Sequence, residues 1–100
     1  MNQEVIARAI NTYGREAQMR QCIEEMAELT QAICKHRRAL EKDDIGFLEY
    51  DAAFRNLVEE TADVYVMIQQ MIIMVGEEKV KEQIDFKIDR LQKRLEEKNE

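Results

Sequence analysis

The chain contains no proline and only three glycines in 100 residues. Proline and glycine supply the fixed and left-handed backbone angles that tight turns need, so a many-stranded sandwich or barrel is out of reach. At 45% hydrophobic residues, enough apolar side chain is present to bury a core, which argues against disorder. What remains is an all-α fold of three to four helices. A chain of 100 residues makes one domain, spanning 1–100, or half of an assembled one.

Apolar spacing divides the chain. A short helix is expected from about Asn2 to Thr12, with Val5, Ile6, Ala9 and Ile10 on one side, until Gly14 breaks or bends it. From Arg15 to Leu40 the positions Met19, Cys22, Ile23, Met26, Leu29, Ile33 and Leu40 describe one long amphipathic helix. The segment from Glu41 to Gly46 carries turn chemistry and is the expected loop. A second long helix runs from Phe47 to Val75, and its Val64–Val75 half is apolar nearly all round. Such a helix belongs in a bundle centre or a subunit interface. After Gly76, a last helix to Leu95 places Val80, Ile84, Ile88, Leu91 and Leu95 at steps of four, four, three and four. That narrow stripe suits packing along one partner, and the charged tail beyond it is expected to fray. So few helices with one all-apolar member make a thin monomer, so a homo-oligomer, dimer or tetramer, is expected.

Fifteen Lys and Arg face twenty-one Asp and Glu, a net charge of −6. Proteins held to nucleic-acid backbones lean basic, so no nucleic-acid partner is expected. Cys22 and Cys34 sit twelve residues apart on one helix, ~18 Å at 1.5 Å per residue, too far to bridge. They read as buried free thiols of a reducing compartment. Glu4 and Arg8 interrupt the opening stretch, so no cleavable leader is expected there. The longest apolar run, Met71 to Val75, is far short of a ~20-residue span. The expectation is a cytoplasmic protein without a membrane.

The acidic residues carry the chemistry. Glu25 and Glu28 lie three apart on the first long helix, and Glu60 and Asp63 repeat that spacing on the second. Each pair projects from one side of its helix, where like charges repel by a few tenths of a kcal/mol. No lysine or arginine lies within four residues of any of the four. One such pair is ordinarily wet surface. Two pairs on consecutive antiparallel helices can meet at one level, because Glu28 and Glu60 lie about equally far from the connection. Facing carboxylates stay charged only around a cation, and oxygen-only ligands select Mg²⁺ or Mn²⁺. Four carboxylates leave room for two ions sharing a phosphate.

The order Ile23-Glu-Glu-Met-Ala-Glu-Leu29 followed by Leu57-Val-Glu-Glu-Thr-Ala-Asp-Val64 resembles the E-x-x-E and E-x-x-D motifs of the MazG-like all-α nucleoside triphosphate pyrophosphohydrolases. Flanking stretches, Tyr13-Gly-Arg-Glu-Ala-Gln18 and Lys87-Ile-Asp-Arg-Leu91, look like those of small bacterial and phage members. The resemblance implies an oligomeric helical bundle that splits a (d)NTP between its α and β phosphates into monophosphate and pyrophosphate. It carries the metal-ligand role onto Glu25, Glu28, Glu60 and Asp63. The chain has no P-loop, so bound ions must neutralise most of the phosphate charge.

Around that cluster, Glu24 and Glu59 stand next to ligands and are candidates to orient or activate the water; Glu24 and Glu25 are the catalytic candidates. Gln18 and Asn56 share the acidic faces and can hydrogen-bond a base or phosphate, although solvated polar roles fit equally well. Lys35 follows Glu28 by seven residues on one face, and Lys87 and Arg90 are further phosphate candidates if a neighbouring subunit presents them. The macrodipole alone already favours the cations of Lys35-His36-Arg37-Arg38 at a helix C-terminus. Without a serine, His36 has no Ser–His partner. Phe54, Tyr65, Met67, Met71 and Met74 read mainly as core. The competing functions are phosphoribosyl-ATP pyrophosphatase, which shares the carboxylate pattern, and a non-catalytic helical oligomer.

Overall fold

Where the turn residues fall, the helices stop. The computed structural model describes residues 3–99 and consists there of four helices: α1 (Gln3–Tyr13), α2 (Arg15–Glu41), α3 (Phe47–Val75) and α4 (Glu77–Asn99). The expected boundaries hold closely, with Asn2 outside the described residues. The exception is the tail after Leu95, expected to fray, which instead continues α4 to Asn99. Gly14 (φ 92°) and Gly76 (φ 127°) adopt left-handed backbone that side-chain-bearing residues rarely take, and each ends one helix and begins the next. Their amides still close the preceding turns, Gly14 N to Ile10 O at 2.8 Å and Gly76 N to Ile72 O at 2.9 Å.

The body of the fold is the antiparallel hairpin of α2 and α3, with α1 packed on both; α4 meets only α3. Polar contacts at both ends set the register. Near the open end, Arg15 Nη2 donates to Met74 O at 3.1 Å, and Gln18 Nε2 donates to Gln70 Oε1 at 2.7 Å. Beside the loop, Lys42 pairs with Glu49. Between these points the least exposed positions of α2 are Gln18, Cys22, Glu25, Leu29, Ala32, His36 and Ala39. On α3 they include Ala53, Leu57, Glu60, Val64, Met67, Met71 and Met74. Both series alternate steps of four and three, the spacing that keeps one seam facing a partner helix along its length.

This seam corrects the sequence reading of α2. Of the apolar stripe expected to face the core, only Cys22 is buried; Met19, Ile23, Met26, Ile33 and Leu40 are exposed. Small and polar residues face α3 instead, with Ala32 fully buried. Short side chains such as Ala32 and Ala39 let two helix backbones approach closely, whereas the longer residues lie on the flank. Cys22 is buried, and burial pushes its thiol pKa up, as in an inert core thiol. Cys34, also expected buried, is exposed because it lies off the seam.

Much apolar surface is left uncovered in the single chain. The Val64–Val75 segment buries Met67, Gln70 and Met74, but Tyr65, Val66, Ile68 and Val75 remain exposed. Tyr65 and Phe54, read mainly as core, are both about half exposed. Helix α4 buries no residue at all, and its stripe of Ile84, Ile88, Leu91 and Leu95 is open. The outline, 47 × 44 × 21 Å, is that of a plate, a shape that leaves two broad faces uncovered. Among the described residues, no helix is long and apolar enough to cross a membrane.

Candidate metal centre

The seam explains why acidic residues lie between two helices. Glu25 and Glu60 occupy seam positions, so their stems are drawn between α2 and α3; Glu28 and Asp63, one turn further along, flank them and are exposed. One carboxylate oxygen each from Glu25, Glu60 and Asp63 lies within 4.8 Å of the others. Glu28 adjoins this trio closely enough that its charge acts on both Glu25 and Glu60. Three of the four residues expected to meet at one level therefore do so, with Glu28 beside them.

Their electrostatics are those of crowded anions. Gln21 Nε2 donates to Glu25 Oε1 at 2.8 Å. That hydrogen bond lowers the Glu25 pKa, but burial and the charges of Glu28 and Asp63 outweigh it, so the net shift is upward. Glu60 is raised too, first by burial and then by Glu28, Asp63 and Glu25. Oε2 of Glu25 and Oε2 of Glu60 are shielded from solvent and accept no hydrogen bond. A shielded carboxylate oxygen with no donor is costly, and a cation satisfies it at once. Oxygen donors alone, without histidine or cysteine, suit a hard divalent ion.

The surrounding candidates separate. Glu24 and Glu59 are exposed beside the cluster and take no part in it. Gln18 is buried, 8% exposed, and its amide is spent on Gln70, itself 3% exposed. A structural hydrogen bond thus accounts for Gln18 in this chain. Lys35 and Asn56 line one cleft of about 450 Å³ at the loop end of the hairpin, together with Arg38, Lys42 and Glu49. Lys87 and Arg90 lie on α4 and join neither cluster nor cleft; the Arg90 guanidinium sits 5.9 Å from the Phe86 ring centre.

Two features escaped the sequence reading. The helix dipole accounts for Arg38 and the expected loop holds Lys42, yet with Lys35 both line one cleft, at steps of three and four. His36 packs against Tyr50 and Phe54, with ring centres 5.8 and 6.1 Å away, and its Nε2 is shielded without a hydrogen bond. Its seven-residue distance from Leu29 was the available signal for a seam position. Comparison with protein families, with curated proteins and with solved structures finds no match to this chain.

Proposed function

We propose that this chain is a Mg²⁺-dependent nucleoside triphosphate pyrophosphohydrolase, with Mn²⁺ as an alternative ion, that converts a (d)NTP and water to (d)NMP and pyrophosphate. One observation carries the reading: two carboxylate pairs from consecutive helices converge, and two of their oxygens are shielded without a donor. The order and spacing of those residues is also what resembles the MazG-like motifs. Glu25, Glu28, Glu60 and Asp63 would hold the metal. The bound metal would neutralise phosphate charge and lower the pKa of a water.

The remaining roles belong to the chain. Water oxygen attacks the α phosphorus, the bond to the α–β bridging oxygen breaks, and pyrophosphate departs with that oxygen. Glu24, beside Glu25 and outside the cluster, would accept the proton from the water; Glu25 is the second candidate. The assembly is a homo-oligomer in this reading, supported by the exposed apolar face of α3 and the α4 stripe. In such an assembly a neighbour's Lys87 and Arg90 could approach the centre.

A panel of triphosphates with Mg²⁺, Mn²⁺ or EDTA, read for pyrophosphate against orthophosphate, tests the proposal. Metal-dependent pyrophosphate is expected, and orthophosphate alone overturns the assignment. Phosphoribosyl-ATP assayed beside the panel separates the histidine-pathway reaction. No turnover together with no metal-dependent heat stabilisation favours a non-catalytic helical oligomer.

A further inference from the structure

The cleft at the loop end of the hairpin has a charge opposite to that of the molecule. In a chain of net charge −6, its rim carries Lys35, Arg38 and Lys42 against one carboxylate, Glu49. Glu49 is already paired with Lys42. Lys35 and Arg38 have no hydrogen bond or ion pair among the described residues, although Arg37 between them pairs with Glu41. Two unpaired cations facing one concave volume of about 450 Å³, with the Asn56 amide opposite, form a receptor for an anion.

Position relates this cleft to the carboxylates. Glu28 and Lys35 lie seven residues apart, nearly two full turns, and so share one side of α2, with Lys42 just past its end. Asn56 and Asp63 do the same on α3. Cleft and carboxylates therefore lie on the same side of the hairpin. Along it, Lys35 lies ~10 Å beyond Glu28 at 1.5 Å per residue, and Asn56 lies about one turn from Glu60. Negative groups of the protein occupy the middle of that side and positive groups its loop end. A ligand filling both sections must bring cation-bound phosphate to the first and bare anionic oxygens to the second.

We propose that the cleft is an oligophosphate site, in which Lys35 and Arg38 hold the terminal phosphates of the substrate and the pyrophosphate released from it. The guanidinium of Arg38 offers a planar fork of donors matched to phosphate oxygens, and Lys35 adds a mobile point charge. The substrate then lies in one direction, with its phosphate chain toward the loop and its nucleoside toward the open end of the hairpin. This role in turnover rests on the pyrophosphohydrolase reading; the binding itself does not.

The test uses sodium pyrophosphate titrated into the metal-free full chain in EDTA, followed by calorimetry and by NMR shifts of the Ala39 and Ala53 methyls. Binding that weakens as salt rises is expected, with those methyls shifted. Lys35→Gln and Arg38→Gln should each lower the affinity about tenfold, consistent with losing a charge-assisted hydrogen bond. Glu25→Gln and Glu60→Gln should not weaken it. Both cations are exposed, so circular dichroism and Tm should remain those of the unmodified chain. No binding in EDTA, or unchanged affinity in the Lys35→Gln/Arg38→Gln double variant, overturns the proposal. Pyrophosphate binding at these residues without triphosphate hydrolysis retires the hydrolase reading and leaves the site standing. Hydrolysis with pyrophosphate affinity indifferent to Lys35 and Arg38 does the reverse.

Discussion

Replacing Gln18 by methionine separates a structural amide from a substrate-binding one. Methionine keeps the length and unbranched shape of glutamine but removes the donor. In the folded chain Gln18 Nε2 donates to Gln70 Oε1 at 2.7 Å, and both residues are buried. Gln18→Met therefore leaves the Gln70 carbonyl oxygen in the seam without that donor. Leaving one buried polar partner unsatisfied costs about 1–3 kcal/mol, more than the ~1 kcal/mol net value of the bond itself. For a domain of this size each kcal/mol moves Tm by about 4–8 °C. The assay is thermal denaturation of the metal-free protein at one fixed concentration, because oligomerisation makes Tm concentration-dependent. Gln70→Met should cost a similar amount, and the double variant should recover most of the loss, giving a favourable coupling of about 1 kcal/mol or more. Triphosphate KM should stay within twofold in each folded variant. If Gln18→Met leaves Tm unchanged and raises KM tenfold, the amide serves the substrate and the reasoning from the seam is refuted.

Mg²⁺ should raise Tm of the unmodified chain, and Glu25→Gln, Glu28→Gln, Glu60→Gln or Asp63→Asn should abolish that rise and lower turnover at least about a hundredfold. Glu41→Gln and Glu96→Gln, outside the cluster, should alter neither; six variants behaving alike would leave the carboxylates as mere wet surface. Because Glu25 and Glu60 have pKa values raised in the folded state, the folded chain binds protons more tightly than the unfolded one. Their contribution is fully present below the unfolded carboxylate pKa and is lost as pH rises through the raised values. Metal-free Tm should thus gain on mild acidification from neutral pH, and the gain should shrink in Glu25→Gln/Glu60→Gln; an identical pH profile in that variant contradicts the cluster's electrostatics. Sedimentation should find an oligomer at micromolar concentration, and Ile68→Asp or Ile72→Asp should dissociate or unfold it, since an unpaired charge is strongly disfavoured on a covered apolar face. A stable 11.9 kDa species of the unmodified chain removes the assembly.

The helices themselves were legible in the amino-acid order. A proline-free chain offers few places to stop, and Gly14, the Glu41–Gly46 segment and Gly76 mark all three. The meeting of Glu25 with Glu60 and Asp63 was legible too, because equal distance from a short connection brings antiparallel residues to one level. What the order of residues did not determine was which face of α2 turns inward. Its larger apolar residues advertise one stripe, but a helix pair packs on the face that permits close approach, and the fold takes the seam of Gln18, Cys22, Leu29, Ala32 and Ala39. That choice shields one oxygen each of Glu25 and Glu60 from water, pairs Gln18 with Gln70, and gathers Lys35 and Arg38 beside a cleft. Burial and partner geometry depend on the rotation of each helix about its own axis. The contact between α2 and α3 sets that rotation, and neither helix encodes it alone.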